Sequence, residues 1–209
     1  MNAATHSIDR LRDFVIEATR LADAGQADES DLSALRDALA RLIAKDDWLP
    51  DHFARPHPQY YQQYLLHCDP QERFSLVSFV WGPGQRTPVH DHTVWGLVGM
   101  LRGSEINQRF RLDESGAAIA DGEPGTLRPG DVEILSPREG DVHQVSNAYS
   151  DRVSISIHLY GGNIGAISRH VFDPASGTRK PFVSGYSDTI VPNLWDRSEA
   201  VRASHAKAA

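Results

Sequence analysis

The sequence predicts a mainly β protein, a barrel or sandwich of short strands that follows two N-terminal α-helices. Two helical apolar stripes occupy residues 1–48, and short β-rich runs separated by Gly and Pro begin at about residue 72. Strands and helices do not alternate in the way that indicates βαβ units. We expect a helical segment over 1–48, a catalytic barrel over 49–196, and a polar tail over 197–209 that is a frayed helix or a disordered end.

The two predicted helices are amphipathic. Apolar side chains recur at helical spacing in residues 7–25, where Gly25 is the expected end of the first helix. Ser30 stands where it can cap a second helix within residues 31–48, which carries one stripe of leucine and isoleucine. We assign both stripes to packing and give them no chemistry.

The strands are expected within the β-rich runs that follow the helices. Their length and spacing are typical of an antiparallel barrel or sandwich. The runs comprise residues 74–84, 87–103, 105–116, 125–141, 142–151 and 152–162.

Composition excludes several functional classes. Lys and Arg total 21 against 28 for Asp and Glu, giving a net charge of -7 with no basic block for nucleic acid or an anionic membrane. No apolar run approaches the roughly 18 residues of a membrane span, and the N-terminus does not resemble a signal peptide. Cys68 is the only cysteine, which excludes an internal disulfide and suits a reducing compartment. We expect a cytoplasmic protein with a small-molecule partner; the oligomeric state, homo-oligomer included, stays open.

Histidines in the β-rich region suggest a metal site. His90 and His92 stand two apart in PVHDHT, and His143 lies in GDVHQVSN. Side chains two residues apart in a strand point to the same face, so His90 and His92 are expected to converge. A lone H-x-H is weak evidence, because paired histidines on an exposed strand are common.

The residues around these histidines strengthen the interpretation, because they resemble the two sequence motifs of the cupin superfamily. Two departures stand out: the second motif has one extra residue on each side of Pro137, and Gly96 stands where the first motif has its metal-binding Glu. Three neutral imidazoles therefore remain as ligands. The matching positions are Gly84, His90, His92 and Gly103 in the first motif, and Gly130, Pro137, Gly140, His143 and Asn147 in the second.

A three-histidine face has definite consequences for chemistry. On an octahedral ion it leaves three adjacent positions free, enough for a bidentate substrate together with dioxygen. It also leaves the charge of a divalent ion uncompensated, which a substrate thiolate would correct, since coordination deprotonates a thiol. On ligand type alone, zinc fits three histidines equally well.

Residues 60–196 resemble the thiol dioxygenases, that is, the cysteine dioxygenase family and its bacterial branch of 3-mercaptopropionate dioxygenases. The resemblance implies a cupin-type β-barrel, also called a double-stranded β-helix or jelly roll, with the two helices packed on it. It further implies one Fe(II) per chain, bound by His90, His92 and His143. The segments that carry it are YQQYLL (61–66), WGPGQRTPVHDHTVWG (81–96), HQVSN (143–147) and SISIHLYGGNIG (154–165).

The last of these segments has one polar face. Ser156, His158 and Tyr160 alternate with apolar residues. Periodicity alone leaves open whether this face points to solvent or into the barrel. The resemblance implies the inner position, with a hydrogen-bonded chain from Ser156 through His158 to Tyr160 and the Tyr160 hydroxyl over the open face of the metal.

Two departures bear on the substrate. In animal cysteine dioxygenases a cysteine cross-linked to the tyrosine matches Gly96 here, so Tyr160 is expected to be unmodified. Those enzymes bind the substrate carboxylate with an arginine where this chain has Gln63, whereas the bacterial branch that has Gln there uses an arginine that matches Arg169. The guanidinium group also suits a carboxylate on chemical grounds.

We therefore predict a thiol dioxygenase that forms a sulfinate from a small thiol and dioxygen, with 3-mercaptopropionate preferred and L-cysteine second. A different cupin enzyme and a non-catalytic metal-binding cupin sensor are the alternatives. The presence of Gly96 and the S-x-H-x-Y pattern argue against the first. An acidic N-terminal region without a basic, DNA-reading face argues against a regulator.

Overall fold

The computed structural model describes residues 8–27 and 32–196. Helix α1 spans Asp9–Asp23 and helix α2 spans Ser33–Ile43, so both predicted helices are present but shorter than expected. Gly25 follows α1 with φ +69°, a left-handed conformation that glycine adopts without strain. The predicted cap at Ser30 and the tail over 197–209 lie outside the described residues.

Helix α2 ends at Ile43 because a later side chain folds back on it. The indole Nε1 of Trp48 donates a hydrogen bond of 2.9 Å to the carbonyl of Leu42, which has no partner within the helix. Trp48 is fully buried. The chain then makes a short 3₁₀ turn over Asp51–Ala54 before the first strand.

Two antiparallel sheets form the β domain. One has the order β1-β2-β10-β4-β8 and the other β12-β11-β3-β9-β5-β6, with β7 paired to β5. This confirms the mainly β, cupin-type barrel with two N-terminal helices. The strands are β1 (Gln62–Cys68), β2 (Ser75–Trp81), β3 (Val89–His90), β4 (Gly96–Arg102), β5 (Glu105–Leu112), β6 (Ala118–Ala120), β7 (Gly125–Leu127), β8 (Val132–Leu135), β9 (His143–Asn147), β10 (Ser154–Tyr160), β11 (Arg169–Asp173) and β12 (Thr178–Phe182).

The helices cover the outer face of the five-stranded sheet. A Cβ at Gly99 in β4 would lie 3.1 Å from Leu39 and 3.0 Å from Ile43, so a glycine there allows α2 to approach closely. Apolar residues of α1 and α2 share one core with Ile155, Ile157 and others of the sheet. Each such side chain contributes about 1.5–3 kcal/mol on burial. Strand β10 is consequently buried on both faces.

Four strands, β1, β6, β11 and β12, lie outside the predicted β-rich runs. Strand β1 has a register shift between Leu65 and His67 that breaks its alternation, and β12 is mostly exposed and contains Pro181. These features weaken the period-two signal by which strands are predicted. Strands β1 and β11 matter for the site, since they carry Gln63 and Arg169. None of the helices in the described ranges is long and apolar enough to cross a membrane.

Candidate active site

Three buried imidazoles meet inside the barrel. His90 in β3 and His143 in β9 are direct partners across the two strands, which brings their rings to 4.8 Å. The ring of His92 lies 4.9 Å from that of His90 and 4.8 Å from that of His143. One ligand atom from each histidine lies within 4.8 Å of the others, as a shared metal ion requires.

His92 reaches this cluster from outside a strand. Strand β3 ends at His90, so the expectation that both histidines lie on one strand is wrong. The carboxylate of Asp141 accepts hydrogen bonds from the backbone N–H groups of His92 (2.7 Å) and Thr93 (3.0 Å). Thr93 adopts φ +61°, so the chain bends here, and this bend directs His92 inward.

Hydrogen bonds to the outer nitrogens orient two of the rings. The Nδ1 of His90 lies 3.1 Å from the carbonyl of Pro88, and the Nδ1 of His143 lies 2.9 Å from the Oδ1 of Asn107. Both acceptors require Nδ1–H, which leaves the Nε2 lone pair for a metal. The Nδ1 of His92 is buried without a hydrogen-bond partner.

The protonation state suits metal binding. Burial lowers the pKa of His90 to about 4, and burial together with the neighbouring imidazoles lowers the pKa values of His92 and His143 well below the usual range. All three rings are therefore neutral near pH 7 and hold free lone pairs. Three neutral nitrogen ligands fit a divalent transition metal.

A hydrogen-bonded chain lies beside the cluster on β10. The Oγ of Ser156 is 2.8 Å from the Nε2 of His158, and the Nδ1 of His158 is 2.8 Å from the hydroxyl of Tyr160. The Tyr160 ring stacks at 5.4 Å on His92. Burial raises the pKa of Tyr160, so its hydroxyl keeps its proton. The polar face of β10 thus points into the barrel.

Gly96 faces the ring of Tyr160. The two residues are partners between β4 and β10, and a Cβ at position 96 would lie 3.1 Å from the Cδ1 of Tyr160. The side chain of a cysteine at position 96 would contact the Tyr160 ring, but glycine has no thiol that could be cross-linked to it. Cys68 is half-buried at the end of β1, where burial raises the pKa of its thiol.

A cavity of about 300 Å³ opens beside His90 and is lined also by Arg169 and Gln63. Arg169 is 3% exposed, donates a hydrogen bond of 2.7 Å to the Oγ of Ser184, and lies over the Phe182 ring at 4.7 Å. Its Nε is buried without a partner. Burial lowers the pKa of Arg169, but a guanidinium group remains charged.

Gln63 and Arg169 share one neighbour. The Nε2 of Gln63 lies 3.0 Å from the Oγ of Ser184 and donates to the carbonyl of Gly185 at 2.7 Å. The backbone of Gln63 also pairs with Ser187. Segment 184–187 therefore holds both predicted substrate-binding side chains at one end of the cavity.

Comparison with known families supports the resemblance seen in the sequence. The model of the family described as cysteine dioxygenase type I matches residues 21–173, well over half of the chain. This chain belongs to the cysteine dioxygenase type I family. The match includes the three histidines, the chain on β10 and Arg169.

Solved structures similar to this member of the cysteine dioxygenase type I family include a protein with a double-stranded β-helix domain and a cupin superfamily protein. An uncharacterised protein with a double-stranded β-helix domain from Klebsiella pneumoniae is 20% identical, covering 55% of this chain and 89% of its own, with a TM-score of 0.44. A cupin superfamily protein from Desulfitobacterium hafniense is 12% identical, covering 57% and 94%, with a TM-score of 0.43.

Sequence reasoning missed several residues of this cysteine dioxygenase family site. Asp141, Asn107 and Ser184 support the histidines or the arginine. One signal was present: Glu105 and Asn107 alternate with Ile106, so their polar side chains share a face of β5. Asp141 and Ser184 stand in loops, where no periodicity marks them.

We expect Asn107→Ala to weaken metal affinity by about 10–100-fold, because His143 would lose the acceptor that fixes its tautomer and ring orientation. Titration of the metal-free protein with Fe(II) under anaerobic conditions measures the change. Gln108→Ala on the same strand is the matched control, since that side chain bonds only to backbone carbonyls away from the cluster. Equal affinities in the two variants would contradict the role of Asn107.

Proposed function

We propose that this protein is an iron(II)-dependent thiol dioxygenase that converts 3-mercaptopropionate to its sulfinate. The observation that carries the proposal is the buried Arg169, whose Nε has no partner, in the same cavity as His90 of the three-histidine cluster. An uncompensated cation next to a metal site fits a thiol that also has a carboxylate.

His90, His92 and His143 would hold one iron per chain. Iron there would supply the Lewis acidity that deprotonates the thiol and the redox chemistry through which dioxygen adds to sulfur. The thiolate and dioxygen together contain every atom of the sulfinate, so no external reductant is needed. The residues of the chain supply position and hydrogen bonds.

Arg169 would bind the substrate carboxylate. The guanidinium fork matches a carboxylate, and a charge-assisted hydrogen bond at a buried position is stronger than a neutral one. Ser184 already occupies one terminal nitrogen of Arg169, which fixes the direction of the fork. The Nε2 of Gln63 on β1 donates to the same Ser184 hydroxyl, so Gln63 would lie beside the substrate carboxylate.

The cavity favours a substrate without an amine. Among the described residues, its lining side chains include no carboxylate, and the apolar wall is formed by Phe79, Val171 and Phe182. An ammonium group would find no anionic partner there, and Arg169 would repel it. A charged group buried without a partner is costly.

L-cysteine is the second candidate, because the family model that matches the chain is that of cysteine dioxygenase. It has the same thiol and carboxylate but brings the ammonium group. The order of kcat/KM for the two thiols decides between them.

Tyr160 would act as a hydrogen-bond donor beside the reacting groups. Its proton is retained because burial raises its pKa, and His158 fixes the position of its hydroxyl. Tyr160 is buried, and the low dielectric of a buried position strengthens the hydrogen bond that its hydroxyl would donate.

The proposed reaction is tested by product analysis. We expect the iron-loaded protein to consume dioxygen and form 3-sulfinopropionate from 3-mercaptopropionate. Dioxygen consumption that yields a product oxidised at carbon would indicate a different cupin enzyme. Binding of the thiol without formation of any product would indicate a sensor. Either result contradicts the proposal. We also propose the reducing cytoplasm as its location, with no nucleic-acid or membrane partner.

Substrate preference yields a quantitative prediction. We expect kcat/KM to fall from 3-mercaptopropionate to L-cysteine to cysteamine, which has no carboxylate. Arg169→Ala should reduce the first two values toward that of cysteamine. A buried charge-assisted hydrogen bond contributes roughly 1.5–3 kcal/mol, or about one to two orders of magnitude in specificity.

Arg179→Ala is the matched control for this series. Arg179 lies on β12 next to β11 but is exposed and contacts His170 instead of the cavity. All three values should stay at the wild-type level in this variant. Equal efficiency of the wild type on cysteamine and 3-mercaptopropionate would refute a carboxylate-binding role for Arg169.

A further inference from the structure

Asn107 lies between one histidine of the cluster and a carboxylate. It is 5% exposed, and its Oδ1 lies 2.9 Å from the Nδ1 of His143. On its other side, the Nδ2 of Asn107 donates a hydrogen bond of 2.7 Å to the Oε2 of Glu133. The two ends of the amide differ in character, because its oxygen accepts hydrogen bonds and its nitrogen donates them.

Glu133 reaches Asn107 from the other sheet. It lies on β8, at the edge of the five-stranded sheet, whereas Asn107 and His143 lie on β5 and β9 of the other sheet. The side chain of Glu133 is 20% exposed, and its Oε1 accepts a hydrogen bond of 2.9 Å from the Nη2 of Arg109. Arg109 follows Asn107 by two residues on β5. Each oxygen of the carboxylate therefore has its own donor on β5.

These contacts fix the orientation of the Asn107 amide. A carboxylate only accepts hydrogen bonds, so the NH2 group of Asn107 must face Glu133 and its oxygen must face His143. The hydrogen bond to the carboxylate is charge-assisted and is therefore stronger than one between neutral groups. In the opposite orientation the amide oxygen and the carboxylate oxygen would face each other with no proton between them.

The orientation of the amide determines the tautomer of His143. A neutral imidazole has one N–H and one lone pair. Opposite an amide oxygen the proton lies on Nδ1, and Nε2 keeps the lone pair that a metal ion requires. Opposite an amide NH2 group, Nδ1 would have to accept, and the proton would lie on Nε2, where it would prevent coordination.

We propose that Glu133 is a positioning residue that acts on His143 through Asn107: by fixing the amide, it holds the imidazole in the Nδ1–H tautomer, which can bind a metal. The inference rests on the proposed role of His143 as an iron ligand. Glu133 is separated from this ring by two hydrogen bonds and needs no contact with metal or substrate.

Glu133→Gln tests the proposal directly, because it keeps the shape of the side chain. The guanidinium of Arg109 only donates, so it should hold the single oxygen of the amide at position 133 and leave the NH2 group facing Asn107. Asn107 should then turn its oxygen to this group and its own NH2 group to His143. We expect His143 to change from Nδ1–H to Nε2–H and the affinity for Fe(II) to fall by about 10–100-fold.

Two measurements on the full chain report these changes. Nitrogen chemical shifts of isotope-labelled histidine in the metal-free protein near neutral pH give the tautomer, and the signal of His143 is identified by its loss in His143→Ala. Anaerobic titration with Fe(II) gives the affinity. Asp46→Asn is the matched control, because Asp46 is also a partly exposed acid that pairs with an arginine, Arg102 at the end of β4. Tautomer and affinity should both stay at their wild-type values there.

A double variant separates positioning from a merely structural role. A carboxylate at position 107 only accepts hydrogen bonds, whichever way it is turned. Adding Asn107→Asp to Glu133→Gln should therefore restore Nδ1–H on His143, since one oxygen can accept from the amide at position 133 and the other from the imidazole. A loss of packing between β5 and β8 would not be repaired by this second change.

Three results would overturn the inference: a His143 that stays Nδ1–H in Glu133→Gln, a double variant that keeps Nε2–H, or a wild type that has Nε2–H. The last result requires no variant to fold. If Glu133→Gln does not fold, Glu133→Ala is the second variant; both tautomers should appear in it, and a pure Nδ1–H form would refute the role of Glu133. Because turnover is not measured, a protein that forms no sulfinate would refute the proposed function and leave this inference standing.

Discussion

Replacement of His143 by alanine is expected to remove most of the bound iron and all measurable dioxygenase turnover. His143 contributes one of only three ligand nitrogens that lie together in the described part of the chain. Two imidazoles hold a divalent ion far less tightly than three, because the remaining positions must be filled by water. Iron content after anaerobic reconstitution measures the effect.

The fold should survive this substitution. His143 is the first residue of β9, and the apolar core shared by the helices and the five-stranded sheet does not include it. Circular dichroism should therefore remain close to that of the wild type. His57→Ala is the control, because His57 is partly exposed and stacks on Tyr60 outside the cluster. Wild-type iron content in His143→Ala would show that the ligand assignment is wrong.

The sequence alone could predict the three-histidine cluster because the spacing of its members follows local rules. His90 and His92 are two residues apart, and His143 is recognised by the glycines and proline that precede it. What the sequence could not provide is the way His92 reaches the cluster. Its direction depends on Asp141, which is distant in sequence and marked by no periodicity.

The polar face of β10 illustrates a second limit. Alternation separates Ser156, His158 and Tyr160 from the apolar residues, but it does not say which face is inside. Both faces prove to be buried, because α1 and α2 cover the apolar one. In an antiparallel sheet with one face in water, the polar side chains of such a strand would point to the solvent and not into the barrel. The packing of the helices therefore determines which face of β10 points inward, and the alternation of residues along a strand gives no information about that packing.

Pairs of side chains from distant strands were the hardest to foresee. Arg169 and Gln63 meet through Ser184, a residue that has no distinguishing pattern of its own. Asn107 on β5 meets the Nδ1 of His143 on β9 at 2.9 Å. Such contacts follow from the tertiary fold, and only the polar alternation in β5 indicated in advance that its inner face carries polar groups.

Tyr160→Phe is expected to lower kcat by about 10²-fold, the effect of losing one preorganised donor near developing charge. Tyr160 is buried, so a water molecule has little room to replace its hydroxyl. Iron should stay bound, because the ring that stacks on His92 remains. Turnover and the ratio of sulfinate formed to dioxygen consumed are the measurements.

His158→Asn should show the same defect to a smaller degree, since it leaves the hydroxyl in place but removes its partner at 2.8 Å. Tyr64→Phe is the control: it also removes the hydroxyl of a buried tyrosine, one that bonds to the carbonyl of Arg55 away from the cavity. Turnover in the control should match the wild type. If both site variants kept wild-type turnover and coupling, Tyr160 would not be the donor, and the chain from Ser156 would have only a structural role.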